Sequence, residues 1–207
     1  MANIITVLRF PVLFISILML YLPGATPKII AVPLIIVLIA MDTLDGIVAR
    51  VRHETSLLGS VLDIMADRSV EIALWICFAH LHLVPVVIPL TFAVRGVIVD
   101  SLRSFSVGNG KTPFQGMTSR LGRWLVGSPI VRSTYGVSKL IAFAGLAFTF
   151  ALNTLAAQGK ASLSWVSASH LVFSVISWIA LGLCLLRGAP VVVEAFTSLR
   201  RFEKTAD

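Results

Sequence analysis

Charge is scarce in this sequence. Asp, Glu, Lys and Arg make up only 13% of the 207 residues, and ten of those residues are acidic. Soluble domains carry about 25% charged residues, so an ordinary water-facing surface is excluded. Cysteine is scarcer still. Cys77 and Cys184 lie inside apolar runs, with no partner at metal-ligand spacing. That pattern excludes a disulfide scaffold and a thiolate zinc centre, and leaves two small buried hydrophobes. The chain lacks internal repeats and low-complexity tracts. It also lacks a soluble basic domain, which argues against nucleic acid as a partner.

What the chain has instead is apolar length. Hydrophobic residues make up 57% of it, and its mean hydropathy is +0.94. Runs of about 20 apolar residues read as membrane spans. Six are predicted, over residues 5–22, 29–48, 57–79, 83–104, 137–157 and 166–186. No basic segment precedes the first run and no small-residue cleavage site follows it, so it is expected to be a retained span. With the N-terminus placed in the cytoplasm, Lys28 and Lys160 are the only two of the 17 Lys and Arg residues on the opposite side. This is a positive-inside asymmetry, and it fits an even number of spans. The expected fold is all-α and polytopic, with six transmembrane helices and both termini cytoplasmic. Residues 1–187 would form the membrane domain, and 188–207 a cytoplasmic tail lying on the surface as an interfacial helix. The net charge of +7 then serves topology, anionic headgroups and phosphorylated substrates.

Against this background, residues 41–71 gather six of the ten acidic side chains. Asp42 and Asp45 are three apart and share a helix face, with Gly46 and Ala49 on that same face and Arg50 after them. Gly59, Asp63 and Asp67 are four apart and share another. The small residues leave room for a ligand to approach the backbone. Four carboxylates in a membrane cannot all ionise without compensation, because each costs about 2.5–3.5 kcal/mol to insert and like charges raise one another's pKa. Hard divalent cations would resolve this. Oxygen-only ligands suit magnesium or manganese, and four carboxylates can hold two such ions in a clamp suited to phosphoryl chemistry. A blander reading makes these solvated boundary residues paired with Arg50, Arg52 and Arg68. A third makes them a cation or proton pathway in a transporter.

The pattern Asp42-x2-Asp45-Gly46-x2-Ala49-Arg50, eight residues, Gly59-x3-Asp63-x3-Asp67 resembles the signature of the CDP-alcohol phosphotransferases, with every fixed position filled. The resemblance implies a six-span membrane enzyme, often homodimeric. Asp42, Asp45, Asp63 and Asp67 would bind two divalent ions, Mg2+ or Mn2+, and Asp67 would also be the general base. Gly46, Ala49, Arg50, Ser56 and Gly59 would line the CDP-lipid site. An acceptor hydroxyl would attack the lipid-side phosphorus of a CDP-linked lipid such as CDP-diacylglycerol, releasing CMP. The expected location is a bacterial inner membrane, with the site facing the cytoplasm.

Three further stretches concern the acceptor. Asn3, Thr6 and Arg9 have the N-x2-T-x2-R spacing found near the start of the phosphatidylglycerophosphate synthases. Arg95 and Arg103, eight apart, resemble the paired-arginine helix of that branch. Ser133, Gly136 and Lys139 resemble the opening of its next helix. Arg95, Arg103 and Lys139 would cradle a phosphorylated acceptor, glycerol 3-phosphate first, with inositol phosphate, inositol, serine or choline as alternatives. Gly96 and Val137 depart from that branch, where an acidic residue and a lysine are usual. The connection between spans four and five is also long. Its turn signals, "NGKTP" and "GSP", leave space for one short helix. His80, His82 and His170 read as interfacial residues.

Overall fold

A computed structural model describes residues 2–51, 57–108 and 120–206. Among these the chain forms seven helices and no strand: α1 Ala2–Tyr21, α2 Ala25–Val51, α3 Leu57–His80, α4 Val87–Gly108, α5 Arg120–Gly127, α6 Pro129–Ala157 and α7 Leu163–Ala206. Each of the six predicted spans overlaps one long helix, although the span 83–104 begins four residues before α4. Ser56 and the "NGKTP" turn lie outside the described residues, as do the side chains of Asp45, Gly46, Ala49, Arg50 and Arg103.

Among the described residues, four stretches are long and apolar enough to cross a membrane: Ile4–Tyr21, Ala25–Asp42, Pro129–Ala157 and Leu163–Val193. The other two long helices fall short of that apolarity for a visible reason. α3 carries Asp63, Asp67, Arg68 and Glu71, and α4 carries Arg95, Asp100 and Arg103. Large apolar side chains such as Phe14, Ile130, Trp165 and Leu171 stand exposed along the helices. Apolar surface on this scale belongs against lipid rather than water, so the protein is an integral membrane protein.

The helix ends explain why the elements outrun the apolar runs. α3 and α6 both close in a Schellman arrangement. After α3, Leu83 N–H donates to the Phe78 carbonyl at 3.0 Å and His82 N–H to that of Ala79 at 3.0 Å, with His82 at φ 57°. After α6, Lys160 N–H donates to Leu155 and Gly159 N–H to Ala156, both at 2.9 Å, with Gly159 at φ 72°. Glycine meets that left-handed geometry without strain, and His82 is the exception. Pro129 starts α6, where its missing N–H costs nothing. Ser162 caps α7, its Oγ accepting from Ser164 N–H at 3.3 Å. Between α1 and α2, the buried Lys28 donates to the carbonyls of Leu22 at 2.9 Å and Gly24 at 3.1 Å.

Among the described residues of the long connection, α5 is a short helix of the kind expected there. α6 begins at residue 129, eight residues before the predicted span. α7 runs without interruption past Arg187 and through Pro190, so residues 188–206 continue the last long helix rather than starting a separate one. Bilayer-crossing helices tolerate such an interior proline when neighbouring groups satisfy the freed carbonyl.

The chain divides into two compact units, Met1–Pro89 with Leu140–Ser177, and Leu90–Lys139 with Trp178–Asp207. In the first, α1 packs on α2 and α3. Its core includes Leu20, Ile35, Leu38 and Leu74, with Trp75 and Phe78 against Phe143 at ring-centroid distances of 4.6 and 6.1 Å. Gly145 lets α6 meet α7 there, since a Cβ on it would collide with the Phe173 ring. In the second unit, Gly188 of α7 lies under Arg95 of α4; a Cβ there would be 2.7 Å from Arg95 Nε.

Candidate active site

α2 carries Asp42 and α3 carries Asp63 and Asp67. The helical spacing that put Asp63 and Asp67 on one face in the sequence holds, because both lie within the unbroken α3. What brings these carboxylates together is a residue of α1. Arg9 is 1% exposed, and its Nη1 stands 2.8 Å from Asp42 Oδ1 and 3.7 Å from Asp63 Oδ1. Its Nη2 stands 4.0 Å from Asp67 Oδ1. The three carboxylates are 38%, 52% and 40% exposed. A sealed cation thus sits at the base of an acidic cluster that is open on its other side. Thr6, one turn before Arg9, is buried as well.

The contact is one of charge more than of directed hydrogen bonds. Despite the 2.8 Å approach to Asp42, neither Nε nor Nη1 of Arg9 has a hydrogen-bond partner. Two unit charges 4 Å apart attract by about 4 kcal/mol at an effective dielectric of 20, and water on the half-exposed carboxylates lowers that. Burying the guanidinium costs several kcal/mol in return.

Arg9 was legible as a positive-inside residue and as part of the N-x2-T-x2-R spacing, but not as the partner of the aspartates. The signal that could have found it is its position: an arginine inside an apolar 18-residue stretch needs a carboxylate nearby. Arg68, offered by the bland reading as a partner of the aspartates, reaches Glu71, with Nη1 to Oε2 at 3.0 Å. Gly59, half-buried, opens the acidic face of α3.

The donor set is oxygen only, which fits magnesium or manganese and not zinc. Among the described residues, no three acidic, histidine or cysteine side chains converge closely enough to hold an ion by themselves. The point on which they converge is Arg9.

The second unit holds a basic cluster. Lys139 Nζ lies 4.6 Å from the centroid of the buried Tyr135 ring, and the Arg187 guanidinium carbon 5.3 Å from it. Arg95 and Arg132 are like-charge neighbours of Arg187. Arg95 and Lys139, expected as acceptor contacts, therefore belong to one basic neighbourhood. Arg187, read from the sequence as a topological charge alone, joins them. An apolar groove of about 530 Å³ runs beside Arg95, lined by Leu90, Val94, Ile98, Leu185 and Gly188.

A signature on two helices, carboxylates gathered from both and apolar helices around them define a class. The pattern of the CDP-alcohol phosphatidyltransferase family matches residues 1–186, and the chain belongs to that family. Among curated proteins, it is 30% identical over 109 residues to a CDP-diacylglycerol–glycerol-3-phosphate 3-phosphatidyltransferase of Yersinia enterocolitica. It is 29% identical over 109 residues to the protein of that name from Wigglesworthia glossinidia brevipalpis. Each alignment covers 52% of this chain and 60% of the relative, so the match spans less than two thirds of the relatives' length.

Proposed function

We propose that this protein transfers the phosphatidyl group of CDP-diacylglycerol to glycerol 3-phosphate, releasing CMP, in phospholipid synthesis. The observation that carries the reading is the convergence of Asp42, Asp63 and Asp67 from two helices of the family signature. The relatives' names support the acceptor.

Asp42, Asp45, Asp63 and Asp67 would hold two divalent cations, Mg2+ or Mn2+. Such ions neutralise a pyrophosphate and stabilise charge on a departing nucleotide phosphate. The chain's own groups do the rest. Gly46 and Ala49 leave space for the nucleotide beside α2, and Arg50, Ser56 and Gly59 complete the CDP-lipid site. Asp67 takes the proton of the acceptor hydroxyl as its oxygen bonds to the lipid-side phosphorus. The bond from that phosphorus to the bridging oxygen breaks, and CMP leaves with the electron pair. A positioned carboxylate in this role contributes about 10²–10⁴-fold. Arg95, Arg103 and Lys139 bind the acceptor's phosphate, arginine as a planar fork and lysine as a point charge.

In this reading the protein has six spans, both termini in the cytoplasm of a bacterium and the site on that face of the inner membrane. It works as a homodimer. The lipid tails stay in the bilayer while the nucleotide meets water.

A substrate panel tests the reading. Purified protein is given CDP-diacylglycerol and Mg2+ or Mn2+ with glycerol 3-phosphate, inositol phosphate, inositol, serine or choline in separate reactions. CMP release that depends on glycerol 3-phosphate is the expected result. Release with a different acceptor keeps the chemistry and changes the substrate. No CMP with any acceptor, while protein in vesicles moves cations, replaces the enzyme with a transporter.

A further inference from the structure

The proposed reaction gives no use to the groove between α4 and α7. Its volume, about 530 Å³, lies within the size range of ligand sites. Both walls belong to the second unit. Leu90, Val94 and Ile98 come from α4, and Leu185, Ala189 and Val192 from α7. Arg95 is the charged residue in this apolar lining. Gly188 leaves room for it on α7, and its Nε is buried without a hydrogen-bond partner. A donor in that state is costly to leave unmet, so a ligand that meets it gains. Arg187, a like-charge neighbour, strengthens the positive field. Asp100 of α4 is five positions past Arg95, outside the three- and four-residue spacing of helix-face pairs, and Glu194 of α7 is six past Gly188. We propose that this groove binds an anionic phospholipid, with one acyl chain between α4 and α7 and the phosphate on Arg95, and that the bound lipid competes with the phosphorylated acceptor. The binding stands on the groove alone. The competition rests on the reading above, in which Arg95 contacts the acceptor.

The lining and its cation select the occupant together. Leu90, Val94, Ile98 and Leu185 are exposed along an apolar surface that faces lipid. An acyl chain gains little by leaving other chains for such a groove, because lipid tails are as apolar as leucine. The apolar walls therefore give no preference among lipids, and the headgroup decides. Phosphatidylcholine brings its phosphate with an ammonium that opposes Arg95. Phosphatidylglycerol brings a net negative charge. Basic pockets between membrane helices take anionic headgroups for this reason. A guanidinium meets phosphate as a planar fork, in bonds shorter and stronger than neutral ones. A fork occupied by a lipid phosphate is lost to the acceptor's phosphate, so more acceptor is needed to reach the same rate.

The test has two readouts on the full-length protein. In the first, native mass spectrometry counts the lipids retained when phosphatidylglycerol and phosphatidylcholine are offered in equal amounts. Wild type is expected to retain phosphatidylglycerol about fivefold more than phosphatidylcholine. Ala189→Trp and Val192→Trp fill the groove without removing a charge and should lose that preference. No preference in wild type, or an undiminished one in both folded tryptophan variants, overturns the proposal. Should neither variant fold, Arg95→Gln carries the test: it should retain the two lipids equally, and a preference kept by it overturns the proposal. In the second readout, CMP release is followed in nanodiscs of phosphatidylcholine with or without phosphatidylglycerol. The anionic lipid should raise the acceptor KM of wild type at least about twofold more than that of Ala189→Trp. Its surface potential repels the acceptor from both proteins alike, so the difference isolates the groove. Equal rises overturn the competition. A CDP-lipid KM raised by the tryptophan variants gives the groove to the donor's chain, and a changed oligomeric state in both makes it an interface between copies; either overturns the proposal. A phosphatidylglycerol preference that the variants lose, in a protein that releases no CMP with any acceptor, upholds the lipid site and refutes the enzyme reading.

Discussion

The two units of the chain each gather like charges, and they hold them differently. In the first, Asp42, Asp63 and Asp67 surround a buried guanidinium. In the second, Lys139 and Arg187 share the face of a buried tyrosine ring, with Arg95 and Arg132 as further cationic neighbours of Arg187. The difference lies in what each centre does to the field. A full positive charge cancels part of the negative cluster and leaves a deficit that divalent ions can fill. A ring quadrupole steadies a cation by about 0.5–2 kcal/mol without neutralising it. In the proposed reaction the acidic group takes the cations, and the basic group keeps its charge for the acceptor's phosphate.

Four substitutions would break or sharpen this contrast. The largest effect is expected for Asp67→Asn, which keeps the side-chain shape and removes the base. Turnover should fall by about 10²–10⁴-fold while most CDP-lipid binding survives, read by CMP release beside equilibrium binding of the lipid. Near-normal turnover would take the base role from Asp67. Next comes Arg103→Ala, which should raise the acceptor KM by about tenfold or more and leave the CDP-lipid KM nearly unchanged, because it removes a contact to one substrate. Equal rises in both would remove Arg103 from the acceptor site.

A smaller change is expected from Gly188→Ala. Its new methyl would stand 2.7 Å from Arg95 Nε, so Arg95 must shift. Because the atoms it displaces belong to a flexible side chain, the acceptor KM should rise several-fold with thermal stability little changed. A loss of stability with both KM values unchanged would mean that Arg95 is only a packing partner of α7. The smallest effect is expected for Tyr135→Leu, which removes the ring beneath Lys139 and Arg187 and should raise the acceptor KM by about two- to fivefold. A fall in turnover with KM unchanged would show the ring acting on the chemistry rather than on the cations.

Much of this was readable before any coordinates. Long apolar runs located every long helix, since twenty greasy residues have few alternatives to a helix in a bilayer. The edges were not readable in the same way, because caps set them. Hydropathy does not register Pro129 starting α6, Ser162 capping α7 or the Schellman closures after α3 and α6. Nor did the change from apolar to mixed composition after Arg187 mark a break, since α7 continues through it. The acidic face of α3 was legible from a four-residue period alone. Its partner was not, because Arg9 is distant in sequence and pairing across helices leaves no local spacing. Arg187 escaped for the same reason: only packing shows that it shares a ring with Lys139.

The central claim is that the carboxylates of α2 and α3 support ion-dependent phosphatidyl transfer. Its most direct measurement is CMP release from CDP-diacylglycerol and glycerol 3-phosphate by protein stripped of metal with a chelator and then titrated with Mg2+ or Mn2+. The account predicts no release in the chelated protein, recovery as either ion is added, and no recovery in Asp63→Asn. Release that persists in the chelated protein, or that Asp63→Asn regains in full, would contradict it.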